Sequence, residues 1–214
     1  MVGSQALLDE VCDEARFAKV IAANLKQARN GVRDGLGTAF APEEKNWGIA
    51  HRILAPHFGP LAIQSTFGEM QDIATQLVLK WARHGADYDI HVASDFTRLT
   101  LDVIALCTMD YRFNSFYREH MHPFVDALES FLKTNAGRAK RIAAMQPLHL
   151  FENHTYWGDI ERLRETAHEV IKERKNHPNE KKDLLNAMLH GVDPLTSERM
   201  TVGPPHKWHR QHGS

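Results

Sequence analysis

The sequence predicts an all-α protein, and three observations support that fold class. Apolar residues recur at helical spacing along several segments, most regularly over residues 68–84 and 95–109. No segment shows the alternation of apolar and polar residues that is typical of a half-buried strand. No repeat at a fixed spacing is present, so an array of repeated units is not indicated. We therefore expect a chain built of packed helices.

The most apolar stretch, residues 95–109, is the expected core helix. Ser94 or Asp95 is positioned to cap its start, and Arg98 and Asp102, one turn apart, are expected to form an exposed pair. Its second half is apolar almost all round, so other helices should enclose it on several sides. A strand usually ends after about 4–8 residues, which favours a helix here. The apolar residues that repeat at helical spacing are Phe96, Leu99, Val103, Leu106 and Cys107.

Start and stop signals delimit the other elements. Pro42 and Pro123 suit the first turn of a helix, and Asn30 with Gly31, Gly85 and Gly191 are expected to end one. The connectors between these signals lack periodicity, and the tail at residues 201–214 is expected to be disordered. The expected helices are residues 5–18, 18–28, 42–54, 68–84, 95–109, 123–137, 156–174 and 183–189.

Composition narrows the class of protein. The chain has 214 residues, enough for one sizeable domain or two small ones, and a formal net charge of −1, which argues against broad attraction to nucleic acid. The first residues are acidic rather than basic and apolar, so we expect no secretory signal. No apolar run approaches the roughly 18 residues that would span a bilayer, so no membrane anchor is expected. We expect a cytoplasmic protein in which Cys12 and Cys107 are reduced.

The residues alone offer no strong catalytic or metal-binding motif. Cys107 lies on an apolar helix with no basic neighbour, which favours a buried small side chain over a nucleophile or metal ligand. His206, His209 and His212 recur every three residues, but a tail of accidental composition is the better interpretation. Trp47 and His51 lie one helical turn apart, so both rings can donate to one carboxylate, although a core tryptophan beside a surface histidine is the common arrangement.

Four segments in order, residues 44–56, 95–107, 111–117 and 182–194, resemble the cytochromes P-450. They are most similar to the self-sufficient fatty-acid hydroxylases of bacteria and filamentous fungi, in which a haem domain is fused to a diflavin reductase. The resemblance covers residues 4–200 and corresponds to the family's helices from the B′ region through C to G and towards H. It implies a partial haem domain at residues 1–200, followed by a tail outside the family pattern.

The resemblance assigns roles to a few residues. Trp47 and His51 fall on the family's Trp-x-x-x-Arg pattern, whose side chains hold a haem propionate, and His51 stands in the place of the arginine. A histidine can still donate there, but its charge depends on pH. The family's fatty-acid channel is implied at Leu25, Ala28, Gly37 and Leu132.

The resemblance also implies an activity and its limits. The family function is hydroxylation of fatty acids with O₂, with electrons passing from NADPH through FAD and FMN to haem. Neither cysteine of this chain lies in the family's Phe-x-x-Gly-x-Arg-x-Cys-x-Gly loop, and the oxygen-activating helix is not encoded, so no catalytic or metal-ligating residue is assigned. The 214-residue chain is expected to be inactive alone. Two alternatives stay open: a non-catalytic helical fragment that binds a lipid or a partner, and a gene-model artefact.

Overall fold

The fold is all-α, as the sequence predicts. A computed structural model describes residues 3–13, 15–17, 21–32, 45–85, 87–139 and 150–200. Within these residues the only β-type pairing is an isolated bridge between Val192 and Arg199. The helices are α1 (Gln5–Val11), α2 (Ala23–Val32), α3 (Lys45–Leu54), α4 (Pro60–Ser65), α5 (Phe67–Ala82), α6 (Val92–Met109), α7 (Pro123–Ala139), α8 (Leu150–Asn176) and α9 (Leu184–His190).

Two apolar clusters of described residues hold separate groups of helices together. Helix α7 packs along α8, and α2 lies against both, while α3 packs on α9. Helix α6 packs against α5 and α9. Each cluster is small, so the apolar contacts need support from buried polar groups. The first cluster contains Ala28, Phe131, Tyr156 and Ile160, and the second contains Ile49, Ile53 and Ala187.

Helix α6 forms where it was expected, but its polar side is buried. Ala105 and Leu106 lie in the interior, and so do Arg98 and Asp102, which are only 6% and 1% exposed. The prediction of an exposed pair was therefore wrong. Asp102 accepts hydrogen bonds from the backbone N–H (2.9 Å) and Oγ (2.6 Å) of Ser115, in the connector that follows α6. This connector covers the charged face of the helix and replaces solvent there.

Arg98 binds the same connector. Its guanidinium donates to the carbonyl oxygens of Ser115, Arg118 (3.1 Å) and Glu119 (2.8 Å). Buried charges are tolerated only when hydrogen bonds replace their lost hydration. The two charged residues of α6 therefore fasten the chain around residues 115–119 onto the helix.

The expected cap of α6 was also wrong. The helix begins one turn earlier than expected, with His91 at its N-cap. Asp95 is buried and accepts hydrogen bonds from Lys80 Nζ and from Trp81 Nε1 (2.7 Å), which joins α6 to α5. The second half of α6 is not enclosed on every side, because Ile104 is 59% exposed.

Other boundaries differ from the expected ones. Helix α1 ends at Val11, and α2 continues through Asn30 and Gly31 to Val32. The expected loop after α3 contains a 3-10 turn and α4, and α8 begins at Leu150 rather than at Tyr156. The connector expected at residues 138–153 is shorter, since α7 extends to Ala139 and α8 starts at Leu150. Its residues 140–149, the predicted helix start at Pro42, the channel residue Gly37 and the tail at 201–214 lie outside the described residues.

No helix among the residues described is both long enough and apolar enough to cross a membrane.

Replacing Asp102 tests the buried clamp. Asp102→Ala leaves the donors of buried Ser115 without their acceptor, so we expect a loss of about 1–3 kcal/mol in the free energy of unfolding. Asp72→Ala removes an exposed ion pair with Arg112 and should cost less than about 1 kcal/mol. Urea denaturation of both variants gives the two values. Equal losses would show that the connector does not depend on Asp102.

Candidate functional site

Helix α3 has one face that is buried against the protein. Gly48, Ile49, Ala50 and Ile53 are buried, and Ile49 and Ile53 pack against Ala187 of α9. This spacing places a continuous apolar stripe on one side of α3, as expected for an amphipathic helix. The remaining positions are free to carry polar side chains outwards.

Trp47 and His51 lie together on a less buried face of α3. Their rings are nearly parallel, with an interplanar angle of 17° and centroids 4.7 Å apart. Trp47 is half-buried and His51 is exposed. Within the described part of the chain, neither side chain donates a hydrogen bond to a protein acceptor. The predicted pair is thus brought together on one face, with its N–H donors available to a ligand.

An ion pair with a buried carboxylate and a partly exposed guanidinium joins α3 to the turn after α9. Arg52 donates through Nε and Nη2 to the two carboxylate oxygens of Asp193, at 2.7 Å each. Asp193 is 1% exposed and also accepts from Thr196 Oγ1 at 2.6 Å. The hydrogen bonds from Arg52, followed by those from Thr196 and the turn, hold the pKa of Asp193 well below its usual range despite burial. Arg52 directly follows His51 in the sequence, and no local pattern predicts a partner that lies 141 positions away.

The Arg52 guanidinium lies over Gly48. A Cβ atom at this position would lie 3.0 Å from one terminal nitrogen of Arg52. Glycine in a helix interior costs about 1 kcal/mol relative to alanine. The close approach of the guanidinium explains why a residue without a side chain is present at position 48.

Three of the predicted channel residues, Leu25, Ala28 and Leu132, lie on two helices that pack against each other. Leu25 on α2 and Leu132 on α7 are 39% and 56% exposed. Ala28, one turn after Leu25, lies in the core cluster with Phe131 and Tyr156. The Nδ2 group of Asn135 on α7 donates to the carbonyl of Asn24 at 2.6 Å, which ties the two helices together.

Neither cysteine lies in a site suited to a reactive thiolate or a metal. Cys107 is half-buried, and burial raises the pKa of its thiol. Cys12 is exposed after the end of α1. Among the residues that the structure describes, no group of three histidine, cysteine, aspartate or glutamate side chains is arranged to hold a metal ion.

Comparison with known proteins identifies the family. The family model for cytochrome P-450 matches residues 2–202. The chain belongs to the cytochrome P-450 family. Cytochromes P-450 are haem proteins, and a haem carries carboxylate side chains. The stacked pair on α3, whose ring N–H groups have no acceptor among the described residues, is a donor set that fits such a carboxylate.

Two relatives of this cytochrome P-450 chain are named as bifunctional proteins that combine a cytochrome P-450 with an NADPH–P-450 reductase. A bifunctional cytochrome P-450/NADPH–P-450 reductase of Aspergillus oryzae is 55% identical over 201 residues, and one of Fusarium oxysporum is 50% identical over 202. A self-sufficient cytochrome P-450 monooxygenase of Exserohilum turcicum is 49% identical over 200 residues. These alignments cover 94% of this chain but only 18–19% of the relatives. The chain therefore spans less than a fifth of their length.

The buried ion pair makes the stability of this chain depend on pH. Asp193 stays charged in the folded protein at a lower pH than its ordinary pKa of 3.8, so its stabilising effect is present above that pH. This effect is lost as the pH falls towards the folded pKa. The melting temperature of Asp193→Asn should thus lie below that of the wild type at about pH 7, and the gap should narrow below about pH 4. A gap that stays constant down to about pH 2 would contradict this assignment.

Proposed function

We propose that the chain supplies the haem-carboxylate-binding helix and part of the fatty-acid-binding wall of a self-sufficient cytochrome P-450 monooxygenase. The observation that carries this proposal is the pair of Trp47 and His51 on one face of α3, whose donors have no protein acceptor in the described residues. Family membership supports haem as the ligand, because the family model matches the segment that contains both residues.

The chemistry of the pair suits a carboxylate. An indole N–H and an imidazole N–H are both donors, and the imidazole adds positive charge when it is protonated. Hydrogen bonds to an ionised acceptor are shorter and about twice as strong as those between neutral groups. When bound, haem supplies the iron that activates O₂ for insertion of oxygen into a C–H bond. The role of Trp47 and His51 is to bind and orient the group.

The proposed substrate is a long-chain fatty acid. Leu25 and Leu132 expose apolar side chains on helices α2 and α7, which pack together, and Ala28 lies between α2 and the core. We include Gly37 in the same wall on the strength of the family resemblance. An extended acyl chain gains about 0.8 kcal/mol for each buried methylene group, so an apolar wall favours such a substrate.

The electron donor is proposed to be a reductase in the same polypeptide. Two of the relatives are named as fusions with an NADPH–P-450 reductase. By this likeness we infer that electrons pass from NADPH through FAD and FMN to haem. We place the protein in the cytoplasm, and both described cysteines are free thiols, as that compartment favours.

The 214 residues alone are proposed to be inactive. The raised pKa of Cys107 keeps its thiol protonated, which disfavours a thiolate bond to iron. Cys12 lies in a Val-Cys-Asp sequence that does not resemble the family's ligand loop. We assign residues 1–200 to the partial haem domain and residues 201–214 to a tail beyond that domain.

Haemin binding tests the carboxylate assignment. Trp47→Phe and His51→Leu each remove one donor, so each should weaken haemin binding by about tenfold or more, measured by Soret absorbance titration. Haemin dimethyl ester, whose carboxylates are blocked, should bind the wild type and both variants with similar affinity.

Trp157→Phe is the matched control, because it removes a tryptophan from α8 rather than from α3. This variant should bind haemin as the wild type does. Equal affinity of the wild type for haemin and its dimethyl ester would refute the role of the stacked pair.

Palmitate binding tests the substrate wall. Leu132→Glu places a charge on the apolar surface of α7 and should weaken palmitate binding by about tenfold or more, measured by calorimetry. Leu195→Glu is the control, because Leu195 is 76% exposed and lies in the turn after α9 rather than on α2 or α7. The same loss in both variants would argue against a wall formed by these helices.

Lipid binding without haem is the second candidate. It is favoured by the large apolar side chains that the structure leaves exposed near α4, including Leu61 at 83% and Phe67 at 64%. Palmitate binding by a chain that does not bind haemin would support this function over the first.

A further inference from the structure

We propose that Asp193 is a positioning residue: it holds Arg52 through two hydrogen bonds and thereby fixes the orientation in which α3 presents Trp47 and His51. This inference rests on the proposed function, in which the two rings bind a haem carboxylate. It assigns a role in binding to a residue that is 141 positions away from Arg52 in the sequence and does not lie on α3.

The geometry of the ion pair restricts rotation of the helix. Successive residues of an α-helix are separated by about 100°, so Arg52 lies on the flank next to His51. A guanidinium that binds both oxygens of a carboxylate fixes a plane as well as a distance. In the described part of the chain, α3 contacts α9 itself through apolar side chains, and apolar contacts are non-directional. The Arg52–Asp193 pair joins α3 to the turn after α9 through a buried carboxylate and two hydrogen bonds, and it therefore sets the direction in which the stacked rings face.

The turn that carries Asp193 is itself held firmly. The backbone N–H of Asp193 donates to the carbonyl of Glu198 at 2.8 Å, and the carbonyl of Asp193 accepts from the N–H of Ser197 at 2.9 Å. The turn closes with Ser197 in a left-handed conformation, at a φ of 58°. At its start, a Cβ atom on Gly191 would lie 2.5 Å from Ile53 Cγ2 of α3, so the backbone there approaches the helix closely. The position of Asp193 is therefore fixed by the turn that carries it.

A second ion pair between the same two segments provides a matched control. Lys45 at the start of α3 donates to Glu198 at 2.7 Å. The two side chains are 70% and 42% exposed, whereas the side chain of Asp193 is fully buried. Exposed pairs contribute little to structure, so removing Glu198 changes the charge of the turn without releasing the helix.

The experiment uses the complete 214-residue chain and two measurements. The first is the ¹⁹F NMR signal of 5-fluorotryptophan at position 47, assigned with Trp47→Phe, which reports the surroundings of the ring without any porphyrin. The second is the ratio of the affinities for haemin and haemin dimethyl ester, which reports recognition of the carboxylates. A loss of stability alone would lower both affinities and leave their ratio unchanged.

The variants are Asp193→Asn, Arg52→Lys and the control Glu198→Gln. Asp193→Asn and Arg52→Lys should both move the Trp47 signal and lower the affinity ratio by about tenfold, because lysine keeps the charge but not the two-point bond. Glu198→Gln should change neither measurement. If Asp193→Asn does not fold by circular dichroism, Arg52→Lys decides the question.

The two proposals fail in different ways. A folded Asp193→Asn or Arg52→Lys chain with an unchanged Trp47 signal and an unchanged ratio would overturn the positioning role. A wild-type ratio near one, together with a Trp47 signal that moves in Asp193→Asn, would refute the haem assignment and retain the control of α3 by Asp193.

Discussion

The two-point ion pair between Arg52 and Asp193 is the contact on which the candidate site depends. It joins helix α3 to the turn after α9 through two hydrogen bonds of 2.7 Å each, and Asp193 is almost fully buried. A buried carboxylate without partners would be unstable, so the turn and the helix require each other. One face of α3 therefore packs against the rest of the protein, and Trp47 and His51 lie on a different face.

The same principle recurs around α6. Asp95 accepts from Lys80 and Trp81 of α5, and Asp102 and Arg98 bind the connector around Ser115. At the end of α8, Arg174 donates to both oxygens of Asp183, which also caps α9. The apolar clusters are small, and apolar packing does not fix the orientation of a helix. These buried polar contacts are directional and do fix it. They define how each helix faces its neighbour.

The sequence predicts the local features of this fold well and the distant ones poorly. The periodicity of α5 and the spacing of Trp47 and His51 depend on residues within a few turns, and both features are found. The spacing of Arg98 and Asp102 is the same whether water or a connector covers them, so their burial could not be read from it. Asp193 lies 141 positions from Arg52, and no local pattern links such residues. Gly31 is a stop signal that the packing of α2 on α7 and α8 overrides.

Helix α3 combines two kinds of polar group, and the difference between them points to binding. The polar atoms of Arg52 are engaged by Asp193, so they serve the fold. The donors of Trp47 and His51 have no acceptor in the described residues, although the two rings are held parallel at 4.7 Å. Ordering two side chains costs conformational entropy, which an acceptor from outside would offset by satisfying both donors at once. A helix that is held on one face and carries unpaired donors on the next is already ordered before any ligand binds, which supports the proposal that α3 binds an anionic group.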